Sequence, residues 1–302
     1  MREGGGSLSM GFRTVERRNN NAQMVPGEFV LDHDDFRRIR DMIHGDAGIH
    51  LTDGKAALVY SRLAKRLRAL QMVAFRDYCD LLESPQGGQE RHEMLAALTT
   101  NVTKFYREPH HFEHLKSCVL PAALEIVRAG GRLRIWSAAC SSGQEPYSIA
   151  LTILSLWPDA ARHDVRILAT DIDPNMIAAG QAGTYPTSEL DPVPVDLRRK
   201  YFEKSEINGR PALRATSEMR SLVGFRQLNL IGSWPMRGEF AAIFCRNVVI
   251  YFDEPTQQRI WQNFVPRLAP GASLYIGHSE RVSGAASRAF VSSGISTYRF
   301  VG

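Results

Sequence analysis

The sequence predicts an α/β protein whose mainly parallel sheet is preceded by an all-α domain. Two strand–turn–helix units predict the sheet: one spans residues 132–157, and the other has a strand at 165–170 followed by a helix. Their strands contain the continuous apolar runs that are typical of buried parallel strands. Residues 28–95 instead carry apolar side chains at helical spacing. The chain therefore divides into a helical part and a larger α/β part.

The first unit has the features of a ligand-binding edge. Residues 132–138 form the expected strand, and residues 140–144 form a turn of small polar residues in which Gly143 is free to adopt a positive φ. Glu145-Pro146 then opens a helix, because the missing N–H of proline costs nothing in a first helical turn. In an open α/β sheet, such a turn is where a nucleotide-like ligand meets backbone N–H groups.

The second unit favours an adenosine-containing cofactor. Its apolar strand, Val165–Thr170, ends in Asp171-Ile172-Asp173-Pro174, which also caps the next helix. An acidic residue at this position can hydrogen-bond ribose hydroxyls, although either aspartate can instead be only a helix cap. The sequence has no G-x-G-x-x-G here, since Gly143 is the only glycine in the preceding turn. A dinucleotide is therefore disfavoured.

The N-terminal part is predicted to contain a tail and a helical domain. Residues 1–26 are rich in Gly, Asn, Arg and Ser, and we expect a disordered tail there. Residues 27–95 form the predicted helical domain. Its expected helices are one that includes Phe29, Leu31, Phe36, Ile39, Met42 and Ile43, and others near 55–72, 75–82 and 90–99.

The second of these helices is basic along its whole length. It contains Lys55, Arg62, Lys65, Arg66 and Arg68 and no acidic residue, whereas basic and acidic residues balance over residues 1–90. A charge run is usually a solvated face. A face of one sign, however, favours contact with an acidic partner, either protein or nucleic acid.

Residues 96–112 form a predicted linker that contributes to the ligand site. Asn101, Thr103 and Arg107 give this segment more hydrogen-bonding groups than a simple connection needs. The adjacent His110 and His111 are expected to be helix-start or packing residues, because neighbouring residues rarely share an ion. No metal site is predicted.

The remaining residues, 113–302, form the predicted α/β domain with an inserted β-subdomain at about 186–222. The insertion has the pattern of an antiparallel hairpin around Asn208-Gly209. Further strands are expected at 223–230, 240–245, 271–277 and 296–301. A helix is expected from Asp253 to about Leu268.

The composition indicates a globular cytoplasmic protein. Apolar residues make up 44% and charged residues 23% of the chain. We expect no membrane insertion and no signal peptide, because no apolar run approaches about 20 residues and the N-terminus lacks an apolar core. The four cysteines have no metal-type spacing, which favours a reducing compartment.

Six segments of the sequence resemble one family, the chemotaxis receptor methyltransferases or CheR family. They are TTNVTKFYRE, WSAACSSGQEPYSIA, ATDID, QLNL, CRNVVIYFD and GHSE, and the resemblance covers roughly residues 28–300. It implies a Rossmann-like S-adenosylmethionine methyltransferase sheet with a small β-subdomain insertion, preceded by an all-α N-terminal domain. It also implies S-adenosyl-L-methionine as cofactor and S-adenosyl-L-homocysteine as product. The implied partners are the cytoplasmic helices of chemoreceptors, whose glutamate side chains receive the methyl group.

The resemblance also implies roles for residues within these segments. The cofactor-binding candidates are Asn101, Thr103 and Arg107 for the methionine end, Glu145 for the amino-acid or sugar region, Asp171 for the ribose, Asn229 and Leu230 for the adenine, and Arg246 and Asn247 beside the sulfonium. Any of these has a structural alternative: Asn247 and Asp171 as caps, or Arg246 as the partner of a local carboxylate. The catalytic candidates are Arg107 and Tyr251. The hydroxyl of Tyr251 would orient the acceptor carboxylate, unless this side chain only packs in the core.

The basic helix receives a role from the same resemblance. Receptor methylation helices are rich in glutamate, so Arg62, Lys65, Arg66 and Arg68 are the candidate receptor-binding residues. A methyl acceptor of this kind suits the chemistry, because a glutamate carboxylate with a pKa of about 4.3 is already ionised at neutral pH and needs no general base.

Two other classes of protein remain as alternatives. A nucleic-acid methyltransferase is suggested by the net charge of +5 and the basic helix. Such enzymes usually carry an N/D-P-P-Y motif or a Pro-Cys nucleophile, whereas this chain has CRNVVIYF, and Cys245 follows Phe244. No nucleic-acid partner is therefore expected. The other alternative is a non-catalytic cofactor-sensing module that binds receptors, which the intact cofactor-type residues disfavour.

Overall fold

The computed structural model describes residues 22–302, which form a helical domain packed on an α/β domain. The helices of the first domain are α1 (His33–Ala47), α2 (Ala56–Ala69), α3 (Phe75–Glu83) and α4 (Gly88–Leu98). Their apolar faces enclose one core, in which Phe36, Val59 and Tyr78 are fully buried. A short 3-10 turn, Asp53–Lys55, precedes α2.

Helix α1 begins later than its apolar pattern predicts. The carboxylate of Asp32 accepts a hydrogen bond from the backbone N–H of Asp35 at 2.8 Å, so Asp32 is the N-cap. Phe29 and Leu31 therefore precede the helix, and their inclusion in it was wrong. Both side chains are nevertheless buried in the same core. The apolar character of these two residues therefore predicted their burial correctly, while the cap decides where the helix begins.

The predicted disordered tail falls mostly outside the described residues. Residues 1–21 lie outside the part that the structure describes. Within residues 22–26, the N–H of Met24 donates to the carbonyl of Leu31 at 2.8 Å, and Met24 and Val25 pack against the helical core. This end of the predicted tail is therefore a packed part of the domain.

The α/β domain combines one large sheet with a small one. Its further helices are α5 (His110–His114), α6 (Leu120–Arg128), α7 (Gln144–Leu156), α8 (Pro174–Ala182), α9 (Val195–Tyr201), α10 (Ser217–Ser221) and α11 (Glu254–Phe264). The strands are β1 (Leu133–Ala138), β2 (Val165–Asp171), β3 (Thr184–Pro186), β4 (Phe202–Ile207), β5 (Arg210–Ala215), β6 (Val223–Gln227), β7 (Phe240–Cys245), β8 (Leu268–Ile276), β9 (Phe290–Gly294) and β10 (Thr297–Phe300).

The large sheet has the strand order β6-β2-β1-β7-β8-β10-β9. The pairs from β6 to β8 are parallel, and β10 and β9 complete the sheet in antiparallel orientation. Strand order reverses at β1, with β2 on one side and β7 on the other. Ligands of open α/β sheets bind outside the carboxyl ends of the strands at such a switch point.

The turn after β1 has the conformation that its glycine predicts. Gly143 has a φ of 99°, and a Cβ there would lie 2.8 Å from the hydroxyl of Tyr185. Helix α7 starts directly afterwards, at Gln144. After β2, the side chain of Asp173 accepts the N–H of Asn175 and is the N-cap of α8. Both connections therefore present their helix starts at the same edge of the sheet.

The small sheet is the predicted insertion. It has the order β3-β5-β4 and is antiparallel throughout. Asn208 and Gly209 connect β4 to β5 with φ values of 50° and 72°, the positive values that a tight type I′ hairpin turn requires. The pattern did not predict β3, which adds a third strand beginning at Thr184.

The helical domain contacts the carboxyl edge of the large sheet. Ile49 forms an isolated antiparallel bridge with Phe252, and the N–H of His50 donates to the carbonyl of Tyr251 at 2.7 Å. The imidazole of His44 lies 3.1 Å from the carboxylate of Asp253. These contacts place the end of α1 above the segment that follows β7. Among residues 22–302, no helix combines the length and apolar character required to span a membrane.

Candidate active site

One cavity lies where the helical domain meets the carboxyl ends of β1, β2 and β7. It contains about 1020 Å³ of empty space that opens to the exterior. Ala47, Ile49 and Leu98 line it from the helical domain. The structure brings all of the predicted catalytic and cofactor-binding residues together around this cavity: Asn101, Thr103, Arg107, Glu145, Asp171, Asn229, Leu230, Arg246, Asn247 and Tyr251.

The linker is fixed against the two sheet turns by Asn101. Its side-chain amide donates to the carboxylate of Asp173 at 3.0 Å, and its carbonyl accepts the hydroxyl of Ser141 at 2.8 Å. Ser141 and Asp173 were not among the predicted site residues. Their positions beside the turn glycine and two residues after Asp171 are the signals that could have identified them. The linker wall of the cavity is thus held by hydrogen bonds from both sheet turns.

Asp171 lies at the tip of β2 with its carboxylate held by backbone groups. One oxygen accepts the N–H of Ser141 at 2.8 Å, and the other accepts the N–H of Asp173 at 3.0 Å. The residue is only 7% exposed, and burial raises the pKa of its carboxyl group. The helix cap is Asp173, not Asp171. Each oxygen of Asp171 keeps further acceptor capacity for a ligand hydroxyl.

Arg246 is paired with local carboxylates, as its structural alternative stated. Its guanidinium lies 3.1 Å from Glu145 and 3.3 Å from Glu108, and it also donates to the carbonyl of Arg107. The side chain is only 2% exposed. Glu145 also accepts the hydroxyl of Ser137 at 2.7 Å. The charge of Arg246 is therefore compensated within the protein, and this residue shapes the wall of the cavity.

Glu108 connects this ion pair to the loop after β8. Its other oxygen lies 2.9 Å from the Nδ1 atom of His278. Burial alone would raise the pKa of Glu108, but the hydrogen bond from His278 and the charge of Arg246 together lower it to about 2. Glu108 was also missing from the predicted site residues. It stands next to Arg107 in the TTNVTKFYRE segment, and this position was the available signal.

The adjacent histidines occupy the positions that the sequence predicts. His110 starts α5, and His111 is fully buried with its ring 5.4 Å from that of Tyr275. Possible ligand atoms of Glu108, His110 and His111 lie within 4.8 Å of one another. However, the guanidinium of Arg246 is 3.3 Å from Glu108, and its positive charge disfavours a metal ion there. We assign no metal to this cluster.

The wall after β7 contains Asn247 and Tyr251. Asn247 has a φ of 57°, an uncommon value for a residue other than glycine. Tyr251 ends the 3-10 turn Val249–Tyr251, and its partly exposed side chain lines the cavity. This location differs from the core packing that was its structural alternative.

Asn229 lines the cavity and joins the two domains. Its amide donates to the carbonyl of Asp46 at 2.7 Å, and its side-chain oxygen accepts the N–H of Ile231 at 3.1 Å. Leu230 beside it is buried, with 6% of its surface exposed. Asn229 therefore contributes to the cavity as a fixed part of its wall.

The basic helix does not present one free basic face. Arg62 donates to the carbonyls of Ala97, Leu98 and Thr99 at 3.3, 2.9 and 2.7 Å, and to the hydroxyl of Thr100 at 3.0 Å. The other arginine side chains of α2 have different partners. Arg66 pairs with Glu90 and Glu93, and Arg68 pairs with Glu28. Lys65 is exposed and has no ion pair within residues 22–302.

Comparisons with known proteins agree with this architecture. Residues 101–298 match the family model described as CheR methyltransferase, SAM binding domain, and residues 34–99 match the model described as CheR methyltransferase, all-alpha domain. The parallel sheet, the cavity at its carboxyl edge and the matched binding domain define an S-adenosylmethionine-dependent methyltransferase. The chain belongs to the CheR methyltransferase family.

Curated relatives match most of the chain. A probable chemotaxis protein methyltransferase of Rhizobium etli is 55% identical over 86% of this chain and 97% of its own length. Chemotaxis protein methyltransferase 2 of Pseudomonas aeruginosa is 41% identical over 84% of this chain and 88% of its own. The chemotaxis protein methyltransferase of Escherichia coli is 41% identical over 82% and 84%, respectively.

Proposed function

We propose that this methyltransferase transfers the methyl group of S-adenosylmethionine to glutamate side chains on the cytoplasmic helices of chemoreceptors, and that it acts in the cytoplasm. The products are glutamate methyl esters and S-adenosylhomocysteine. Relatives named chemotaxis protein methyltransferases support the chemotactic role. The state of the ionisable side chains around the cavity supports a carboxylate acceptor.

The proposal rests on the lack of a free general base among the described residues around the cavity. Within the described chain, no histidine lines the cavity. Its carboxylates are already engaged: Glu145 by Ser137 and Arg246, and Asp171 by two backbone N–H groups. An amine acceptor with a pKa of about 10.4 would have to lose a proton first, whereas a glutamate is ionised at neutral pH. The cavity thus suits a nucleophile that needs no general base.

The residues around the cavity fit S-adenosylmethionine by their chemistry. Asp171 offers acceptor oxygens for ribose hydroxyls, and Leu230 and Ile49 offer apolar surface for the adenine. Arg107 offers a cation for the carboxylate of the methionine end. One of its nitrogens donates to the carbonyl of Val102 at 3.0 Å, and its other side-chain donors have no hydrogen-bond partner among residues 22–302. When bound, the cofactor supplies a methyl group on a positively charged sulfur.

The remaining cavity residues are proposed to position the cofactor and the acceptor carboxylate. Asn101 and Thr103 hold the methionine end from the linker side, and Asn229 keeps the adenine wall in place through Asp46. Arg246, fixed by Glu145 and Glu108, holds the wall beside the sulfonium together with Asn247. The hydroxyl of Tyr251 orients the acceptor carboxylate. Catalysis then rests on alignment of the two reactants.

A transfer assay tests this proposal. The purified protein is incubated with methyl-labelled S-adenosylmethionine and either a chemoreceptor cytoplasmic fragment or RNA. We expect label on the receptor fragment and its release by mild alkali, since a methyl ester is base-labile. The matched control is the same fragment with its glutamates replaced by alanine. Label that resists alkali, or that appears on RNA instead, would contradict the glutamate assignment.

Receptor binding is proposed for the outward side of α2. Lys65 and Arg68 are exposed, although Arg68 pairs with Glu28 at the surface. Exposed ion pairs contribute little free energy, so a glutamate-rich helix can displace Glu28 at small cost. Arg62 and Arg66 have internal partners, and any part that they take in receptor binding requires those bonds to be shared or broken.

A further inference from the structure

The four-residue turn after β8, Gly277-His278-Ser279-Glu280, has no role in the function proposed above. None of its residues lines the cavity. Yet its last residue, Glu280, is connected to the cavity wall by an unusual set of bonds. One carboxylate oxygen accepts the N–H groups of Asn247 and Gly277 at 2.9 and 2.6 Å. The other accepts those of Val248 and Val249 at 2.9 and 3.0 Å.

These bonds hold three successive residues of the wall after β7. Asn247, Val248 and Val249 carry the chain from the end of β7 to the 3-10 turn that contains Tyr251. Asn247 is kept at a φ of 57°, where a residue other than glycine persists only if its surroundings impose that conformation. The carboxylate of Glu280 satisfies three consecutive N–H groups there and so imposes it.

Gly277 lies directly against the same wall. A Cβ at this position would lie 2.9 Å from the backbone nitrogen of Asn247 and 2.9 Å from the carboxylate of Glu280, and it would also collide with the side-chain amide of Asn247. The absence of a side chain at Gly277 therefore allows the end of β8 to approach Asn247 closely. Glu280 and Gly277 thus each contact the wall after β7, one by hydrogen bonds and the other by close packing.

We propose that Glu280 is a positioning residue for methyl transfer, which acts by setting the backbone of Asn247–Val249 so that Asn247 and Tyr251 face the cofactor and the acceptor carboxylate. The proposal rests on the function proposed above. It assigns to the GHSE segment the task of aligning the reactants rather than binding them. Alignment of reacting groups is worth orders of magnitude in rate, so a small shift of this wall affects turnover before it affects ligand affinity.

Glu280→Gln is the sharpest test because an amide cannot replace this carboxylate in either orientation. Each oxygen of Glu280 accepts two N–H groups, so the NH₂ group of glutamine would face two donors whichever way it points. The size of the side chain is unchanged. We expect kcat for receptor methylation to fall at least tenfold, while the dissociation constant for S-adenosylhomocysteine, measured by calorimetry, changes less than threefold.

Ser279→Ala is the matched control, since Ser279 is exposed in the same turn. It should keep the wild-type kcat. Gly277→Ala is the second variant, which shifts Asn247 by contact without removing a charge, and its kcat should fall while its affinity for S-adenosylhomocysteine persists. This variant also decides the matter if Glu280→Gln does not fold.

The outcomes separate the two proposals. A wild-type kcat in Glu280→Gln, or in Gly277→Ala, would overturn the positioning role. A parallel loss of kcat, product affinity and melting temperature in the folded variants would also overturn it, because such a pattern indicates a purely structural residue. Failure of the wild-type protein to methylate the receptor fragment contradicts the proposed function instead, and this is measured in the same assay.

Discussion

Asp171 and Asp173 stand two residues apart at the end of β2, and the structure uses their carboxylates differently. Asp173 caps α8 and receives the amide of Asn101, whereas Asp171 faces the cavity and accepts two backbone N–H groups. The sequence alone offered either residue as a cap. The two carboxylates have the same chemistry, and the structure separates them by the direction in which each side chain points.

Asp171→Asn should therefore weaken binding of S-adenosylmethionine and its product. The substitution removes the charge that strengthens hydrogen bonds to ribose hydroxyls, at a cost of about 1.5–3 kcal/mol in binding free energy. Calorimetry with S-adenosylhomocysteine measures it. Asp196→Asn, at an exposed site of the insertion, is the control and should bind as the wild type does. Equal affinities for the two variants would reject the ribose-binding role.

His111 predicts a pH dependence of stability. It is fully buried, and burial, the charge of Arg246 and His110 lower its pKa to about 3, even though Glu108 nearby acts in the opposite direction. The unfolded chain, with an ordinary histidine pKa of about 6.5, takes up a proton that the folded state does not. The contribution of His111 to the free energy of unfolding is therefore fully present above about pH 6.5 and is lost as the pH falls from there toward 3.

Urea unfolding at pH 7.5 and pH 5 measures this effect. From the two pKa values, His111 should reduce the free energy of unfolding by about 2 kcal/mol over this interval. His111→Phe keeps a buried ring without a titrating nitrogen, so its stability should fall less than that of the wild type over the same interval. The same pH dependence in both proteins would show that His111 is not the group responsible.

At the scale of elements, the basic residues of α2 have partners that the sequence does not reveal. A run of one charge predicts an outward basic face, but Arg62 points to the end of α4. The carbonyls at a helix C-terminus lack partners within the helix and carry partial negative charge, so a guanidinium satisfies them well. The residues that Arg62 holds, Leu98 to Thr100, line the cavity. We call this contact the Arg62 clasp.

Arg62→Ala should weaken binding of S-adenosylhomocysteine, because the Arg62 clasp fixes the start of the linker. Loss of hydrogen bonds from a charged donor to partly buried carbonyls is expected to cost about 1.5–3 kcal/mol in stability, and part of this should appear as lower product affinity. Arg62→Lys should recover part of the loss. Lys65→Ala, on the exposed side of the same helix, should leave product affinity unchanged.

Lys65→Ala also tests docking of the receptor. If α2 binds the receptor through its outward side, Lys65→Ala lowers methylation at subsaturating receptor, more so at low salt. If Arg62→Ala binds S-adenosylhomocysteine with wild-type affinity, the Arg62 clasp is not needed to fix the start of the linker.

The pattern of apolar residues predicted most elements, and the exceptions have identifiable causes. Strands such as β1, β2 and β7 are mainly apolar and mainly buried, and they were recognised. The edge strand β9 is mostly exposed and contains serines, so it lacks an apolar pattern. The partners of Arg62 are 35 to 38 residues away in sequence, and a local charge run carries no information about them.

At the scale of the molecule, the cavity exists only where the two domains meet. The predicted site residues were found from sequence segments, but the sequence could not show that Ala47 and Ile49 complete the wall. The contact depends on Gly48, whose φ is 70° at the end of α1. A Cβ there would lie 2.7 Å from the side chain of Ile231 in the other domain.

Gly48→Ala should thus disturb the fold and the cavity together. A residue with a Cβ is strained at this φ, which costs about 1 kcal/mol, and the contact with Ile231 adds to it. We expect a lower melting temperature and weaker S-adenosylhomocysteine binding. Gly45→Ala is the control: Gly45 lies inside α1 with open space around it, so alanine should stabilise the helix there. A melting temperature of Gly48→Ala at or above that of the wild type would contradict this account.

The Arg62 clasp also bears on the order in which the two substrates bind. The helix proposed to face the receptor and the segment that lines the cavity share the guanidinium of Arg62. If receptor binding breaks the bonds of Arg62 to that segment, the two binding equilibria are coupled through it. Such coupling is reciprocal: any factor by which an occupied cavity alters affinity for the receptor equals the factor by which the receptor alters affinity for the cofactor. A receptor that draws Arg62 outward loosens the linker and lowers cofactor affinity by that factor. Each of the two products, S-adenosylhomocysteine and the methylated receptor, then leaves more readily while the other is bound, and the one that remains is bound more tightly once the first has left.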